Sequence, residues 1–329
     1  MRAASARSMH EPANPQATAA RFAEDVRHYL SQQPRQLPSR YLYDALGSAL
    51  FDAICELPWY PITRTETRLL REHARTILDG DEAPDRLVEL GAGNGSKLAA
   101  LVEAGLPPGH RVTIHLVDVS AAALHTAASA LAGLPGVQVA THEASYEDGL
   151  ERVRRRGGPG RALVLFLGSN IGNFDRSGAE PFLERIRRAL APGDGLLLGA
   201  DLVKPERDLL LAYDDPLQVT AAFNRNLLVR INRELGADFD VTQFQHRAVW
   251  NEAESRVEMH LVAASDQQVH VGAASVGLAF TAGETIWTES SYKYRPEGVA
   301  RMLERAGFRL MMQWKDEGSG FALTLVEAA

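Results

Sequence analysis

The sequence is short of the residues that would mark several classes of protein. Cys55 is the only cysteine among 329 residues, so no disulfide forms within the chain, and its apolar neighbours favour a small buried side chain over a nucleophile. No apolar run reaches the roughly 18 residues that cross a bilayer. The start lacks the apolar centre of a secretory signal. We therefore expect a cytoplasmic protein without a membrane span, with a flexible tail over residues 1–20.

Basic charge and metal-binding spacings are also scarce. The formal net charge is −7, whereas a nucleic-acid binder usually carries a basic face, so we expect no nucleic-acid partner. One arginine run, at residues 152–156, closes a predicted helix, where cations are favourable. The histidines show no C-x-x-C or H-x-x-x-H spacing, and we predict no metal site.

From about residue 87, short apolar segments alternate with helical ones. Near-continuous apolar strands separated by helices predict a parallel sheet with helices on both faces. The predicted strands are "RLVEL", "VTIHLVDV", "VQVATHEA", "RALVLFLG" and "DGLLLGAD". The alternation stops near residue 201, where helices and then antiparallel strands follow, and a helix and two strands end the chain. The sequence therefore predicts an α/β fold interrupted by a second module over roughly 200–288.

A glycine turn, in "LVELGAGNGSK", follows the first predicted strand. Gly91, Gly93 and Gly95 give G-x-G-x-G, not the G-x-G-x-x-G of dinucleotide sites. Glu89 precedes the turn, and a pyrophosphate disfavours a nearby carboxylate, whereas S-adenosylmethionine (SAM) carries cationic groups and no phosphate. Asp118 ends the next strand and suits ribose hydroxyls in either cofactor. The turn favours SAM over NAD, and a plain tight turn stays open as a third interpretation.

The fourth strand leads into "FLGSNIGNF", residues 166–174. Gly168 opens space over the edge of the sheet where ligands bind in this fold class, and Asn173 can present an amide there. A glycine–asparagine turn with local capping explains the same residues without a ligand. These residues alone leave both interpretations open.

Several segments together resemble one family. In chain order they are "YLYDALGSALFDAICELPWYPITRTE", "ELGAGNGSK", "FLGSNIGNF", "DLVKPERDLLLAYDD", "VTAAFNRNLLVRINREL", "VEMHL" and "TESSYKY". They resemble the L-histidine Nα-methyltransferases of ergothioneine biosynthesis over about residues 21–329, and the patterns YDxxGSxLF and AFNRN make the resemblance specific. It implies three methyl transfers from SAM, which convert L-histidine through its mono- and dimethyl forms into the trimethylated betaine, hercynine.

The resemblance also implies two domains. A Rossmann-like SAM methyltransferase domain is expected over 62–199 plus 289–329. A second, α+β substrate-binding domain is expected from an N-terminal segment, 21–61, and an insertion, 200–288. No zipper or repeat is evident, so we expect a monomer.

For the cofactor, the resemblance implies a role for residues near the glycine turn. Gly91 would allow close backbone approach, Lys97 would reach the carboxylate of SAM, and Asp118 would hold its ribose. Ser145 and Tyr146 fall where the family contacts adenine, although the family usually has an acidic residue at the first of these positions.

The resemblance places further residues at the point of methyl transfer. Tyr43 and Phe51 would border the reacting amine and the channel of the methyl donor. Gly168, from its place at the end of the fourth strand, is expected on the cofactor side. An α-amine is mostly protonated at neutral pH and must lose a proton before each transfer. Tyr43 is the candidate catalytic proton acceptor or relay, and solvent is an equal rival. Aromatic faces would favour the growing positive charge.

Six residues resemble the family's histidine site. Those for the carboxylate and α-amine are Tyr60, Asn173 and Tyr213, and those for the imidazole are Met259, Glu289 and Ser291. A carboxylate accepts an imidazole N–H and would be left buried and unpaired by a ring without that donor, so histidine is preferred to phenylalanine or tyrosine. The alternatives are that Glu289 caps a strand or forms an ion pair with Lys293 in solvent. Asn170 stands where some members have threonine.

Three other functions stay open at this point. A paralogue could methylate another amino acid or amine, against which Met259 and Glu289 argue. An NAD-dependent oxidoreductase is disfavoured by Glu89 and the glycine spacing. A non-catalytic SAM-binding protein would be expected to have lost pocket residues.

Overall fold

The computed structural model describes residues 15–78, 83–158 and 160–329. Within these ranges the α-helices are α1 Pro15–Leu30, α2 Ala45–Glu56, α3 Ile62–Leu78, α4 Ser96–Gly105, α5 Ala121–Leu131, α6 Tyr146–Arg156, α7 Arg176–Ala189, α8 Glu206–Tyr213, α9 Val219–Leu235 and α10 Pro296–Arg305. Short 3₁₀ turns cover Ser39–Leu42, Asn170–Asn173 and Val241–Gln243.

The strands follow the same order along the chain. They are β1 Arg35–Gln36, β2 Arg86–Leu90, β3 Val112–Asp118, β4 Val137–Glu143, β5 Ala162–Phe166, β6 Gly195–Asp201, β7 Phe244–Asn251, β8 Arg256–Ala263, β9 Gln267–Val271, β10 Val276–Phe280, β11 Thr285–Tyr292, β12 Phe308–Asp316 and β13 Phe321–Ala328.

A seven-stranded sheet confirms the predicted Rossmann-like α/β fold. Its order is β12-β13-β6-β5-β2-β3-β4. The five strands from β6 to β4 are parallel, and β13 runs antiparallel between β6 and β12. Every residue of β5 and β6 is buried, because helices cover both faces. The strand order reverses beside β2, and ligands of such sheets bind at the carboxyl ends of the strands flanking that point.

A smaller four-stranded sheet, ordered β1-β11-β8-β7, contains the late part of the chain. β1 pairs in parallel with β11, Arg35 opposite Ile286, and so brings the N-terminal segment to this sheet. β9 and β10 form a separate hairpin. The expected domain boundary between residues 288 and 289 passes through β11, which belongs to the smaller sheet along its whole length.

One apolar core joins the two sheets. The same cluster of buried residues includes Leu70 of α3, Leu165 of β5, Phe223 of α9 and Leu261 of β8. The crevice between the two sheets is therefore held by shared packing on both sides.

Several local expectations are refined. The first helix begins at Pro15, not near residue 21, so the predicted tail is wrong over residues 15–20; residues 1–14 lie outside the described ranges. Cys55 is buried, as predicted. The arginine run ends α6, with Arg154 and Arg155 paired to Glu151. In the described part of the chain, no helix combines the length and apolar character needed to span a bilayer.

Candidate active site

A pocket lies between the two sheets, at the carboxyl end of β5. Nine of the residues predicted for the site line it: Tyr43, Phe51, Tyr60, Gly168, Asn173, Tyr213, Met259, Glu289 and Ser291. They come from the N-terminal segment, the turn after β5, α8, β8 and β11. The pocket is thus assembled from parts of the chain that are far apart in sequence.

The pattern YDxxGSxLF builds one wall of this pocket. The Asp44 carboxylate caps α2 by accepting from the Gly47 N–H at 2.7 Å. A side chain at 47 would place its Cβ 1.7 Å from the Leu42 carbonyl oxygen, so only glycine fits. The helix that starts here carries Phe51 into the pocket, while Tyr43 precedes the cap. The motif therefore positions both aromatic rings.

The AFNRN segment holds that wall in place from α9. Asn226 Nδ2 donates to Asp44 at 2.7 Å, and Arg233 donates to the same carboxylate at 2.6 Å. Burial alone would raise the pKa of Asp44, but the hydrogen bonds from Arg233, the Gly47 N–H and Asn226 outweigh it and lower that pKa. Asp44 is thus a charged anchor between α2 and α9.

Four aromatic rings cluster in the pocket: Tyr43, Phe51, Tyr60 and Phe223. The ring centroid of Tyr43 lies 5.6 Å from that of Phe51 and 5.5 Å from that of Phe223. Phe223 was missed by sequence reasoning, although it belongs to the AFNRN segment. Burial, and then the negative charge of Glu289, hold the pKa of Tyr43 well above its ordinary value, so it is a neutral phenol.

From the smaller sheet, β11 presents polar groups to the pocket beside β8. A bulge follows Trp287, and Glu289 then pairs with Met259 across the strands. Burial raises the pKa of Glu289 to about 7, against the opposing positive charge of Lys293. Both alternatives for Glu289 are wrong. Glu289 lies inside β11 and so does not cap that strand. Lys293 is buried, and its Nζ lies 2.9 Å from Asp201.

Tyr213 and Ser291 form a hydrogen-bonded pair in the pocket wall. Their hydroxyl oxygens are 2.8 Å apart, joining α8 to β11. Asn173 lies at the end of the 3₁₀ turn Asn170–Asn173, which follows β5. The pocket therefore combines a carboxylate and hydroxyls with a set of aromatic faces.

The glycine turn lies next to this pocket. Gly91 has φ +86°, and a Cβ there would lie 2.7 Å from Asn170 Nδ2 and 3.2 Å from the Tyr146 hydroxyl. Asp118 ends β3 and accepts from the Ser120 N–H at 2.9 Å and the Gly93 N–H at 3.4 Å. The structure therefore brings the turn, the end of β3 and the start of α6 together.

Lys97 and Ser145 have additional partners that sequence reasoning missed. Lys97 Nζ donates at 2.8 Å to Glu66, a fully buried carboxylate on α3 that also accepts from the Gly168 N–H at 2.8 Å. Burial alone would lower the pKa of Lys97, but Glu66 outweighs it and raises that pKa. The Ser145 hydroxyl caps α6 by accepting from the Asp148 N–H at 3.2 Å.

Glu89 is the exceptional group of the glycine turn. Its carboxylate is buried, its Oε2 has no hydrogen-bond partner, and burial raises its pKa to about 8. An unpaired buried carboxylate is costly unless a cation or donor reaches it. A ligand with a positive charge and no phosphate fits this turn, and SAM is such a ligand. Across the described ranges, no three His, Cys, Asp or Glu side chains converge as a metal site would.

The fold and the site together define a class. A parallel sheet with this strand order, a G-x-G-x-G turn after β2 and an acidic residue at the end of β3 are those of a Rossmann-like SAM-dependent methyltransferase. A family model described as histidine-specific methyltransferase, SAM-dependent, matches residues 22–328. The chain belongs to this family of enzymes, and its methyl donor is SAM.

Curated relatives agree with this membership. The histidine N-alpha-methyltransferase of Mycolicibacterium smegmatis is 43% identical over 302 residues, which cover 92% of this chain and 93% of that protein. Ergothioneine biosynthesis protein 1 of Schizosaccharomyces pombe is 29% identical over 85% of this chain but 37% of its own length. The N-methyltransferase fsqC of Aspergillus fumigatus is 31% identical, over 90% of this chain and 81% of that protein.

Proposed function

We propose that the chain transfers methyl groups from SAM to the α-amine of L-histidine in three successive steps, giving hercynine for ergothioneine biosynthesis. The observation that carries the proposal is the buried Glu289 carboxylate, which lines the same pocket as a cluster of aromatic rings. It suits an imidazole N–H at one end of the substrate, while the aromatic faces suit an amine that becomes a fixed cation at the other.

The residues assigned to histidine binding fall into two sets. Glu289 accepts from the ring, Ser291 contacts the other ring nitrogen, and the apolar Met259 packs on the ring face. Tyr60, Asn173 and Tyr213 hold the carboxylate and orient the α-amine. These roles are supported by the position of all six side chains in one pocket.

SAM binding is assigned to the residues of the glycine turn and their neighbours. Lys97 stays charged and suits the carboxylate of the ligand, and the free oxygen of Glu89 suits its ammonium. Asp118 holds the ribose, with Ser145 and Tyr146 beside the adenine, and Gly91 permits close backbone approach. Phe51 and Gly168 border the passage to the substrate. When bound, SAM supplies an electrophilic methyl group on a sulfonium sulfur.

Catalysis by this chain is chiefly positioning of the amine. The substrate amine must be neutral, with its lone pair directed at the methyl carbon. Tyr43 is a neutral phenol, so it takes a proton from the amine only by releasing its own, as a relay toward solvent. The rings of Tyr43, Phe51, Tyr60 and Phe223 then stabilise the charge that grows with each methyl group.

The organisation of the chain is part of the proposal. A SAM-binding unit over 62–199 plus 289–329 and a substrate-binding unit over 21–61 plus 200–288 meet along β11. The enzyme acts as a cytoplasmic monomer on a small molecule. Light scattering after size-exclusion chromatography should give the mass of one chain, 35.9 kDa; twice that mass would contradict the monomer.

Product analysis tests the function directly. The purified chain is incubated with SAM and, in separate reactions, with histidine, tryptophan, tyrosine and phenylalanine, and product mass is followed over time. We expect histidine alone to gain one, two and finally three methyl groups. If histidine gains none while another amino acid is methylated, the substrate assignment is wrong and a paralogous methyltransferase takes its place.

A further inference from the structure

We propose that Lys293 is a positioning residue for histidine recognition: its buried ammonium binds the hydroxyls of Tyr213 and Ser291 and makes this pair a hydrogen-bond donor toward the substrate. The inference rests on the proposed function and adds the group that makes this part of the site a hydrogen-bond donor. Lys293 itself does not line the pocket; both hydroxyl residues do.

The ammonium of Lys293 has a full set of partners. Its side chain is completely buried, one residue beyond the end of β11. Nζ lies 2.9 Å from Asp201, 2.8 Å from the Tyr213 hydroxyl and 2.9 Å from the Ser291 hydroxyl. An ammonium has three N–H donors and no acceptor. All three donors are therefore used, and both hydroxyl oxygens accept from the lysine.

The hydroxyl hydrogens of Tyr213 and Ser291 determine whether the pair donates or accepts a hydrogen bond toward the substrate. Tyr213 and Ser291 each own one hydroxyl hydrogen, and their oxygens are 2.8 Å apart, so one hydroxyl donates to the other. Whichever does so, a single hydroxyl hydrogen is left over. That hydrogen is offered to the pocket, either from Ser291 toward a ring nitrogen or from Tyr213 toward a carboxylate. Both are acceptors of histidine.

The neighbouring Glu289 offers the opposite polarity. A carboxylate accepts, so Glu289 and the hydroxyl pair together match a neutral imidazole, with one N–H and one bare nitrogen. Without Lys293, each hydroxyl becomes free to accept as well as donate, and this match is lost. Burial alone would lower the pKa of Lys293, but Asp201 and then Tyr213 outweigh it and raise that pKa, so the donor stays charged.

The chain offers a matched control in Lys204. Its Nζ lies 2.6 Å from the other oxygen of Asp201 and 2.6 Å from the Ser319 carbonyl oxygen. Lys204→Met therefore removes an ammonium from the same buried aspartate and leaves the two hydroxyls with theirs. An effect transmitted only through Asp201 would appear in both variants.

The experiment compares Lys293→Met with Lys204→Met by calorimetric binding and steady-state kinetics. We expect Lys293→Met to raise the histidine Kd and KM roughly tenfold or more, with the SAM Kd within about twofold of wild type. In Lys204→Met, the Kd of histidine and the Kd of SAM should each stay within about threefold of wild type. The acid limb of the kcat/KM profile should also move to higher pH in Lys293→Met alone, because the lysine charge opposes protonation of Glu289.

A double variant tests whether the effect of Lys293 passes through the hydroxyl pair. In a Ser291→Ala chain, adding Lys293→Met should reduce the histidine affinity much less than it does in wild type, because the substitution at 291 has already removed one of the two hydroxyls that Lys293 binds. Full additivity, equal losses of SAM and histidine binding, or equal effects of the two lysine variants would overturn the proposal. If Lys293→Met does not fold, Lys293→Met/Asp201→Asn removes both buried charges and takes its place, with Asp201→Asn as its control. A wild-type chain that never methylates histidine contradicts the proposed function instead.

Discussion

Two regions can be compared: the glycine turn after β2, and the β11 end of the pocket, which is the part lined by Glu289 and Ser291. Each region buries a glutamate near a lysine, and in each the lysine binds an acidic residue other than that glutamate. At the glycine turn, Glu89 lies near Lys97, yet the ammonium of that lysine donates to Glu66. The Glu89 carboxylate is thereby left with an oxygen that no protein group satisfies.

At the β11 end the same arrangement is built from different parts. Glu289 lies near Lys293, whose ammonium is bound to Asp201 and to two hydroxyls. Burial dominates at both places and raises the pKa of Glu89 to about 8 and that of Glu289 to about 7.

The regions differ in what accompanies the carboxylate. The glycine turn adds backbone groups and the carboxylate of Asp118, which suit a large ligand that carries a cation. The β11 end adds one hydroxyl donor, which suits a small ring with an acceptor. Under the proposed function, a ligand supplies the missing partner in each region, and the accompanying groups determine which ligand that is.

The largest expected effect is that Glu289 and Glu89 each influence the affinity for a different ligand. Glu289→Ala should raise the histidine KM roughly 30- to 100-fold, because a charge-assisted hydrogen bond to the ring is lost, and should leave the SAM Kd within about twofold. Glu89→Gln should reverse this pattern. Calorimetric titration of both variants with SAM and with histidine measures the two affinities. An equal loss of affinity for SAM and for histidine in Glu289→Ala would contradict the role assigned to Glu289.

A smaller effect is expected from Glu66, which holds Lys97 and the Gly168 N–H. Glu66→Gln keeps the shape but removes the charge, so we expect a roughly tenfold weaker SAM affinity and a smaller change for histidine. Thermal unfolding of the variant checks that the fold persists. If histidine affinity fell more than SAM affinity, Glu66 would belong with the β11 region.

SAM binding is expected to release a proton from Glu89. At pH 7 a Glu89 of pKa about 8 is mostly protonated, and a cationic ligand beside it favours the charged form. SAM binding should therefore release up to about 0.9 proton at this pH. Binding enthalpies in buffers of different ionisation enthalpy give the number; release that persists unchanged in Glu89→Gln would assign the proton to another group.

The smallest expected effect is on stability. The folded pKa of Glu89 lies above its ordinary value of 4.5, so the folded state holds a proton that the unfolded state has already lost. Its contribution is present at low pH and is lost as the pH rises through about 8. The free energy of unfolding should fall by about 1 kcal/mol from pH 7 to pH 9 through this group. Urea denaturation should show a smaller fall in Glu89→Gln; an equal fall would contradict the assignment.

Local patterns allowed much of the fold to be predicted from the sequence. Alternating apolar strands and helices indicate a parallel sheet, and the glycine turn indicates where its ligand lies. The tail predicted over residues 1–20 is too long, because α1 begins at Pro15 and proline is compatible with a helix start.

The parts of the site that were not predicted depend on contacts between distant segments. The resemblance named pocket residues such as Tyr213 and Ser291, but it gave no reason to connect Lys293 with Asp201, or Glu66 with Lys97. Phe223 lay within a quoted motif, yet its contact with Tyr43 depends on how α9 packs against α2. Such pairings depend on three-dimensional packing that residue spacing does not encode.

The two-residue strand β1 has a consequence for how the protein is made. It pairs with β11 about 250 residues further along the chain. At about 5–20 residues per second on the ribosome, Arg35 waits roughly 10 to 50 seconds for Ile286 to be synthesised. During that interval Tyr43 and Phe51, which follow β1, are without the pocket residues Glu289 and Ser291, which lie on β11. A nascent chain that stops before β11 therefore carries the glycine turn but lacks the two residues, Glu289 and Ser291, that are proposed to recognise the imidazole.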